Sequence, residues 1–245
     1  MFNRPHHNEI LNVLNQLDHQ IFQETYTCFG GGTLIALLNQ EFRESNDIDF
    51  ICSIQSTGYK QLRKLIFDKG YDALFLQSKS LGIGRSNMDQ YGIRLLVESN
   101  KVPIKLEIIA EARFVIEQPR KLPWLSLPCL NEEDLWTSKL LANADRFMDK
   151  SILSRDLIDL AVLRLSSPIS SISREKAESA YEVMRPLQSA IDKFQNQPEY
   201  RQKCWENLII NNDFIPRIVD GIDLLAIDCN LSQTTRQFNE CHQYF

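Results

Sequence analysis

The 245-residue chain has no long hydrophobic run. Its longest apolar stretches, such as Leu34–Leu38, are far shorter than the roughly 20 residues that cross a bilayer as a helix. The segment Met1–His7 also lacks the apolar core of a secretory signal. We therefore expect a cytoplasmic protein that does not associate with a membrane.

Basic residues are not in excess. The chain has 27 Lys and Arg against 32 Asp and Glu, which gives a net charge of −5. This balance argues against a protein whose main task is to coat nucleic acid, because that task needs a basic surface. A local basic patch can still hold an RNA end. The candidates for such a patch are two groups: Lys60, Arg63 and Lys64, and Arg120 with Lys121. Both groups are more typical of charges that are exposed to solvent on a helix or loop.

The six cysteines form no C-x-x-C pair and no zinc-finger spacing. Several lie inside apolar runs, as Cys28 and Cys52 do, so we predict buried, reduced thiols and no disulfides. The histidines lie near the two ends of the chain and suggest no metal cluster: His6, His7, His19 and His242.

Hydrophobic periodicity predicts both strands and helices in the first half of the chain. Asn100 and Lys101 are predicted to form a hairpin turn there. The segment Gly82–Asn87 lacks the Gly-Lys-Ser/Thr ending of a P-loop and is interpreted as a hairpin loop. The predicted strands cover residues 25–29, 47–53, 73–77, 92–98 and 104–110, and the predicted helices cover residues 7–20, 33–40 and 59–69.

The second half of the chain is predicted to be helical. Residues 118–130 contain three prolines and are interpreted as a linker without regular structure. We thus predict an α+β fold, with a domain of a mixed sheet flanked by helices over residues 1–117 and a helical bundle over 118–245. The predicted helices of the bundle cover residues 131–148, 154–165, 173–194, 198–210 and 215–228.

Two aspartates alternate with apolar residues in Asp47-Ile48-Asp49-Phe50. On a strand, Asp47 and Asp49 lie on the same face. Two adjacent carboxylates repel each other unless a cation lies between them, and hard divalent ions such as Mg²⁺ prefer such oxygen ligands. Taken alone, an Asp-x-Asp is more often a capped turn followed by a surface strand.

A glycine-rich segment, Gly31-Gly32-Thr33, comes fourteen residues before Asp47 at the start of a predicted helix. Glycines let a phosphate approach the backbone, and the first N–H groups of a helix favour an anion. The Thr33 hydroxyl could cap the helix or contact the same phosphate. A phosphate-binding turn and a carboxylate pair separated by one helix are much less expected by chance than either feature alone.

A third carboxylate is expected on a neighbouring strand. Glu107 has apolar residues on both sides and so lies on the polar face of an otherwise buried strand. Glu98 and Glu111 compete for the same role.

The pattern Gly-Gly-Thr, followed by Arg-x-Ser-x-Asp-Ile-Asp-Phe at residues 43–50, resembles the AbiEii/AbiGii-type nucleotidyltransferase toxins of the DNA polymerase β-like superfamily. The resemblance continues through Lys139, Arg146 and the segment Arg155–Leu160, and covers about residues 28–165. Residues 166–245 add no motif of this kind.

The resemblance implies a metal-dependent nucleotidyltransferase of the EC 2.7.7 type. Asp47, Asp49 and Glu107 would hold Mg²⁺ or Mn²⁺ and support attack of an acceptor hydroxyl on the α-phosphate of a nucleoside triphosphate, with release of pyrophosphate. The resemblance assigns nucleotide binding to seven residues: Gly31, Gly32, Thr33, Arg43, Ser45, Lys139 and Asp156.

The sequence does not identify the acceptor, and it is also compatible with a protein that binds nucleotides without catalysis. A toxin-like enzyme would modify tRNA or another RNA and would have a cognate antitoxin. A small-molecule nucleotidyltransferase of the antibiotic-modifying kind fits the acidic balance. A nucleotide-binding module of the same fold would keep the architecture without catalysis.

Overall fold

A computed structural model describes residues 1–76 and 80–241. Cα packing divides the chain into two compact units. The first contains Met1–Leu37 and Ser45–Asp134. The second contains Leu38–Glu44 together with the residues from Leu135 onward. The short segment before Ser45 therefore belongs to the second unit, although both of its neighbours in the chain belong to the first.

The first unit is built on a mixed seven-stranded sheet with the order β3-β4-β5-β2-β1-β7-β6. Strand β2 pairs with β1 in antiparallel fashion and with β5 in parallel fashion, so it lies inside the sheet. The strands are β1 (Thr27–Gly30), β2 (Asp47–Ser53), β3 (Gly82–Met88), β4 (Gly92–Ser99), β5 (Val102–Glu111), β6 (Arg120–Leu122) and β7 (Leu125–Cys129). The accompanying helices are α1 (Pro5–Gln16), α2 (His19–Glu24), α3 (Gly31–Leu38) and α4 (Gly58–Lys69).

One face of the sheet forms the core of the first unit. Ile48 and Phe50 of β2 are fully buried, and Phe50 packs against Phe22 and Phe29 with ring centroids 4.6 and 5.6 Å apart. Because side chains alternate along a strand, the same burial turns Asp47 and Asp49 to the opposite face. Burying hydrophobic side chains on one face thus fixes which residues the other face presents.

The second unit is helical. Its core residues include Leu157, Leu160 and Ile222, all fully buried. The helices from residue 132 onward are α5 (Glu132–Arg146), α6 (Arg155–Arg164), α7 (Ser171–Glu178), α8 (Met184–Asn196), α9 (Pro198–Asn207) and α10 (Ile215–Asp228). A mixed sheet with flanking helices, followed by a helical part, confirms the predicted fold class.

Residues 118–130, predicted to be an irregular linker, instead form β6 and β7. The pairing uses Leu122 with Leu125 and Arg120 with Cys129. Pro128 lies between Leu125 and Cys129, the two paired residues of β7. The N–H group that it lacks is therefore not needed for the pairing. The prolines therefore limit these strands to short lengths without preventing them.

The segment Gly82–Asn87, predicted to be a hairpin loop, lies in strand β3 at the edge of the sheet. Its polar composition follows from that position, because an edge strand exposes much of its surface to water. The predicted hairpin turn at Asn100 and Lys101 is confirmed, and both residues have positive φ.

Two further predictions were wrong. The strand predicted over residues 73–77 is a short 3-10 helix, Tyr71–Leu74, followed by an isolated bridge at Phe75, while Gln77 lies outside the described residues. The single helix predicted over 173–194 is divided into α7 and α8. Pro186 has no N–H to donate, so it is tolerated in the first turn of α8 but not in the middle of a longer helix.

Throughout the described ranges, no helix is long and apolar enough to span a membrane. Five cysteines in these ranges are buried, Cys241 is exposed, and all six are free thiols. Burial raises the pKa of the Cys52 thiol to about 11, which keeps it protonated and unreactive at neutral pH. His242 lies outside the described residues.

Candidate active site

The register of the sheet brings three predicted carboxylates together. Asp49 of β2 pairs with Glu107 of β5, and Asp47 is two residues away on the same face of β2. Neighbouring strands lie about 4.8 Å apart, so Asp49 and Glu107 are direct neighbours across the ladder. Asp47, Asp49 and Glu107 are half-buried, which leaves each of them in contact with solvent. We call these three residues the acidic face.

The other neighbour of Asp49 in the sheet is Gly30, the last residue of β1. The next residue, Gly31, has φ +68°, and a Cβ placed on it would come within 2.5 Å of Asp49 Oδ2. A side chain at position 31 would therefore be strained and would also displace the Asp49 carboxylate. Gly31 is the first residue of α3, so the start of this helix lies directly against Asp49.

Glu107 is held by two cations of the same face. Arg94 Nε donates to Glu107 Oε1 at 2.8 Å, and Lys105 Nζ lies 2.7 Å from Glu107 Oε2. The hydrogen bond to Glu107 raises the pKa of Lys105, and the negative charges of Asp47 and Asp49 add to this effect. All three carboxylates of the acidic face therefore stabilise the charged form of Lys105.

The acidic face offers part of the ligand set of a divalent cation. Asp47 and Asp49 supply oxygen ligands of the kind that Mg²⁺ and Mn²⁺ prefer, on one face and with access to solvent. No group of three His, Cys, Asp or Glu residues in the described part of the chain converges as a metal site, since Glu107 is directed at Arg94 and Lys105. The aspartate pair thus fits a hard cation, and a three-carboxylate metal site stays a prediction.

Thr33 and Ser45, both predicted to bind nucleotide, are buried in one hydrogen-bonded group. Their hydroxyls lie 2.7 Å apart, and the Thr33 hydroxyl also donates to the backbone carbonyl of Asp47. The backbone N–H of Ser45 donates to Nε2 of the buried His7 at 3.1 Å. These contacts attach the first turn of α3 to the start of β2 and so fix the position of Asp47.

The three remaining predicted ligands, Arg43, Lys139 and Asp156, lie in the second unit. Arg43 is 1% exposed and donates from Nε and Nη2 to the two carboxylate oxygens of Asp159, at 2.8 and 3.0 Å. Lys139 Nζ lies 2.9 Å from Asp156 and 2.7 Å from Asp159. Arg146 completes the group by donating to both oxygens of Asp156. We call these five residues the buried ion network.

Electrostatics in the buried ion network favour charged carboxylates. Burial alone raises the pKa of Asp156, but the charge of Lys139 and the hydrogen bonds from Arg146 outweigh it and hold that pKa well below its ordinary value. The pKa of Asp159 is lowered against the same opposing effect of burial, by Arg43 and Lys139. Both aspartates are therefore ionised at neutral pH.

The sequence of the chain matches the model of a known protein family. The model for the nucleotidyl transferase AbiEii toxin of type IV toxin–antitoxin systems matches residues 13–208. The chain belongs to the AbiEii family. Because AbiEii proteins are toxins of such systems, membership implies a cognate antitoxin.

No curated protein sequence matches this AbiEii chain. Two crystal structures from Helicobacter pylori are similar to it. One is the protein JHP933, at 15% identity and a TM-score of 0.46, with 92% of this chain and 89% of that chain covered. The other is described as a candidate nucleotidyltransferase, at 14% identity and a TM-score of 0.44, with 92% of each chain covered. Family membership rests on the sequence match.

The predicted site residues of this AbiEii chain thus fall into two groups. Gly31, Gly32, Thr33 and Ser45 lie with the acidic face in the first unit, and Arg43, Lys139 and Asp156 lie in the buried ion network of the second. A role of each residue in nucleotide binding stays a prediction.

Sequence reasoning missed Arg94, Lys105, Asp159 and His7 as parts of these groups. Strand alternation was a usable signal for Lys105, because residues 105 and 107 share one face.

Proposed function

We propose that the chain is a metal-dependent nucleotidyltransferase of the EC 2.7.7 type, which moves a nucleoside monophosphate from a nucleoside triphosphate to an acceptor hydroxyl. The observation that carries this proposal is the register that sets Asp49 between Gly30 and Glu107, with Asp47 on the same face. That arrangement places carboxylates beside the first turn of a helix, where backbone N–H groups favour phosphate.

The donor triphosphate binds at the start of α3. Gly31 and Gly32 leave room for a phosphate to approach the backbone, and Gly31 already lies against the Asp49 carboxylate. Thr33 and Ser45 act here by holding α3 and β2 in place, because their hydroxyls are bonded to each other.

Asp47 and Asp49 would hold Mg²⁺ or Mn²⁺, with Glu107 as the third carboxylate of this site. The bound cation would neutralise negative charge on the phosphates and polarise the phosphorus under attack. Through that cation the aspartates would position the α-phosphate against the acidic face, where positioning and charge neutralisation supply most of the catalysis.

In the proposed reaction the acceptor oxygen forms a bond to the α-phosphorus, and the bond from that phosphorus to the oxygen bridging the α- and β-phosphates breaks. Pyrophosphate leaves with that oxygen. The proton of the acceptor hydroxyl passes to Glu107, the carboxylate beside Asp49. The nucleoside monophosphate is thereby joined to the acceptor.

The proposed acceptor is an RNA hydroxyl, tRNA included, in keeping with the toxin family to which the chain belongs. A small-molecule acceptor is the second candidate, and the acidic balance of the chain favours it because its net charge is −5.

The test is incubation of the purified protein with Mg²⁺, each α-labelled nucleoside triphosphate and total RNA. We expect label in the RNA, reduced about a thousandfold in Asp49→Asn, because that change removes transition-state charge stabilisation of several kcal/mol. Asp68→Asn, an exposed aspartate on α4, is the matched control and keeps full transfer.

Three other results are informative. Triphosphate binding that depends on Mg²⁺ without labelled RNA would direct the search to a small-molecule or protein acceptor. Binding without any transfer to any acceptor would favour a non-catalytic module of the same fold. Absence of both binding and transfer would refute the proposal.

A further inference from the structure

The open face of the sheet continues beyond the acidic face into a cavity over β3, β4 and β5. Its volume is about 470 Å³, in the range of about 300–1,000 Å³ that is usual for small-ligand sites. Three cations, Arg85, Arg94 and Lys105, line the cavity together with the polar side chains of Ser86 and Asn87. Among the residues that the structure describes, none that lines the cavity is a carboxylate, in contrast to the acidic face next to it.

The three cations differ in how they are held. Lys105 and Arg94 are paired with Glu107, and Arg94 also pairs with Asp89 at 3.1 Å. Arg85 is exposed and forms no ion pair with any residue in the ranges 1–76 and 80–241. A fixed pair of cations next to one uncompensated arginine is an arrangement that favours an anionic ligand.

Charge is ordered across this face by strand. Asp47 and Asp49 lie on β2, Lys105 and Glu107 on β5, Arg94 on β4 and Arg85 on the edge strand β3. Glu98 also lies on the exposed face of β4, at the end of the strand next to the turn to β5. With about 4.8 Å between neighbouring strands, Arg85 lies roughly 14 Å from the aspartates across the sheet. That distance corresponds to about four phosphates at the 3.4 Å axial spacing of a stacked nucleic acid strand.

The position of the cavity separates it from the donor phosphates. Gly31 and α3 adjoin β2 on the side of β1, whereas the cavity adjoins β2 on the side of β5. A ligand in the cavity would therefore approach Asp49 from the direction opposite to the donor. An acceptor has to approach from that direction if it is to attack in line with the leaving pyrophosphate.

We propose that the cavity lined by Arg85, Arg94 and Lys105 binds the phosphates of a single-stranded nucleic acid whose terminal hydroxyl lies at the acidic face. This inference rests on the proposed nucleotidyl transfer to RNA and adds where on the sheet the acceptor strand is held. Ser86 and Asn87 add uncharged hydrogen-bonding groups next to the cations, as contacts to a phosphate or sugar require.

The test measures binding without triphosphate, so that it does not depend on transfer. A short single-stranded RNA with a fluorescein label at its 5′ end is titrated with wild-type protein and with Arg85→Gln, and fluorescence anisotropy is followed over a range of salt concentrations. Lys69→Gln is the matched control, since Lys69 is an exposed cation at the end of α4 that does not line the cavity. Arg85 has no ion-pair partner in the described ranges, so its replacement preserves the fold, which circular dichroism checks.

We expect Arg85→Gln to weaken RNA binding roughly tenfold at low salt. The slope of log K against log salt concentration should become shallower by about 0.7, the change for one lost phosphate contact on a single strand. Lys69→Gln should match the wild type in both respects, and binding of a nucleoside triphosphate should be unchanged in either variant.

Equal RNA affinity and salt slope for Arg85→Gln and wild type would overturn the inference. Weakened triphosphate binding in Arg85→Gln would also overturn it, because the cavity would then hold the donor. Neither result touches the proposed transfer reaction, which fails separately if Asp49→Asn and wild type both transfer no label. RNA binding that depends on Arg85, together with labelled RNA in the transfer assay, supports both proposals.

Discussion

The acidic face and the buried ion network contain similar side chains in opposite environments. On the acidic face, Glu107 is 16% exposed and Lys105 is 50% exposed, so ligands and solvent reach the charges. In the buried ion network, Arg43 and Asp159 are 1% and 0% exposed, and each carboxylate oxygen accepts from a cation. The comparison teaches that solvent access, and not pairing, separates the two groups: the carboxylates of the acidic face stay within reach of a ligand, whereas Arg43, Lys139 and Asp159 are enclosed in the fold.

The largest expected effect comes from opening the buried ion network. Asp159→Asn leaves Arg43 and Lys139 buried with too little negative charge. We expect the free energy of unfolding in urea to fall by about 3–5 kcal/mol.

Asp49→Asn is the matched change on the acidic face. It should alter stability by less than about 1 kcal/mol, as usual for a site that solvent reaches. Equal destabilisation by the two variants would break the comparison.

Low pH should also destabilise the protein through the buried ion network. The pKa of Asp156 in the folded protein is below its ordinary value of 3.8, so the unfolded chain takes up a proton first as the pH falls. The stabilisation by Asp156 is thus complete above about pH 4 and is lost as the pH falls below it toward the folded pKa, at a cost of about 2 kcal/mol.

Urea unfolding between pH 7 and strongly acid pH measures this loss. Asp156→Asn should be less stable at neutral pH and should lose less further stability on acidification. A decline as steep as that of the wild type would mean that Asp156 is not the responsible group.

A smaller effect is expected at Gly31, where backbone strain can be distinguished from contact with the Asp49 carboxylate. Gly31→Ala and Gly70→Ala both place a side chain at positive φ, which costs roughly 1–3 kcal/mol. Only the first puts a Cβ against the Asp49 carboxylate, because a Cβ on Gly70 meets nothing within 4 Å. We expect both variants to be destabilised and only Gly31→Ala to lose nucleotidyl transfer, measured as labelled product. Normal transfer by Gly31→Ala would separate Asp49 positioning from catalysis.

The smallest expected effect concerns an ion pair that is less buried than Arg43 and Asp159. Arg164 on α6 donates to both oxygens of Asp228, at 2.6 and 3.1 Å, with the same two-bond geometry as Arg43 and Asp159. Their side chains are 17% and 24% exposed, so solvent screens the pair. Arg164→Gln should lower the free energy of unfolding by less than about 1 kcal/mol in urea. A loss comparable with that in Asp159→Asn would show that geometry outweighs burial.

The sequence was informative where a local pattern carried the structure. The alternation from Asp47 to Ser53 predicted β2 with the bounds that the fold has. The same reasoning placed Glu107 on the face of its strand that adjoins Asp49. In both cases the apolar partners of the alternation are buried in the core, so tertiary packing and local pattern agree.

Features that depend on distant partners were not predictable. Arg43 and Asp159 are 116 positions apart, and no local signal indicates that they meet. Polar β3 has no apolar alternation because it lies at the edge of the sheet. Strands β6 and β7 exist through pairing with each other and with β1, which outweighs the proline content of residues 118–130.

The segment Leu38–Glu44 has a practical consequence for dividing the protein. Two backbone hydrogen bonds join it to the rest of the second unit. The Glu44 N–H donates to the Leu208 carbonyl, and the Asn211 N–H donates to the Phe42 carbonyl. A gene fragment that ended at residue 134 would still encode Phe42 and Arg43 but not their partners. No single cleavage of the chain releases either unit intact, so separate expression of the sheet domain requires Leu38–Glu44 to be replaced by a short polar connection.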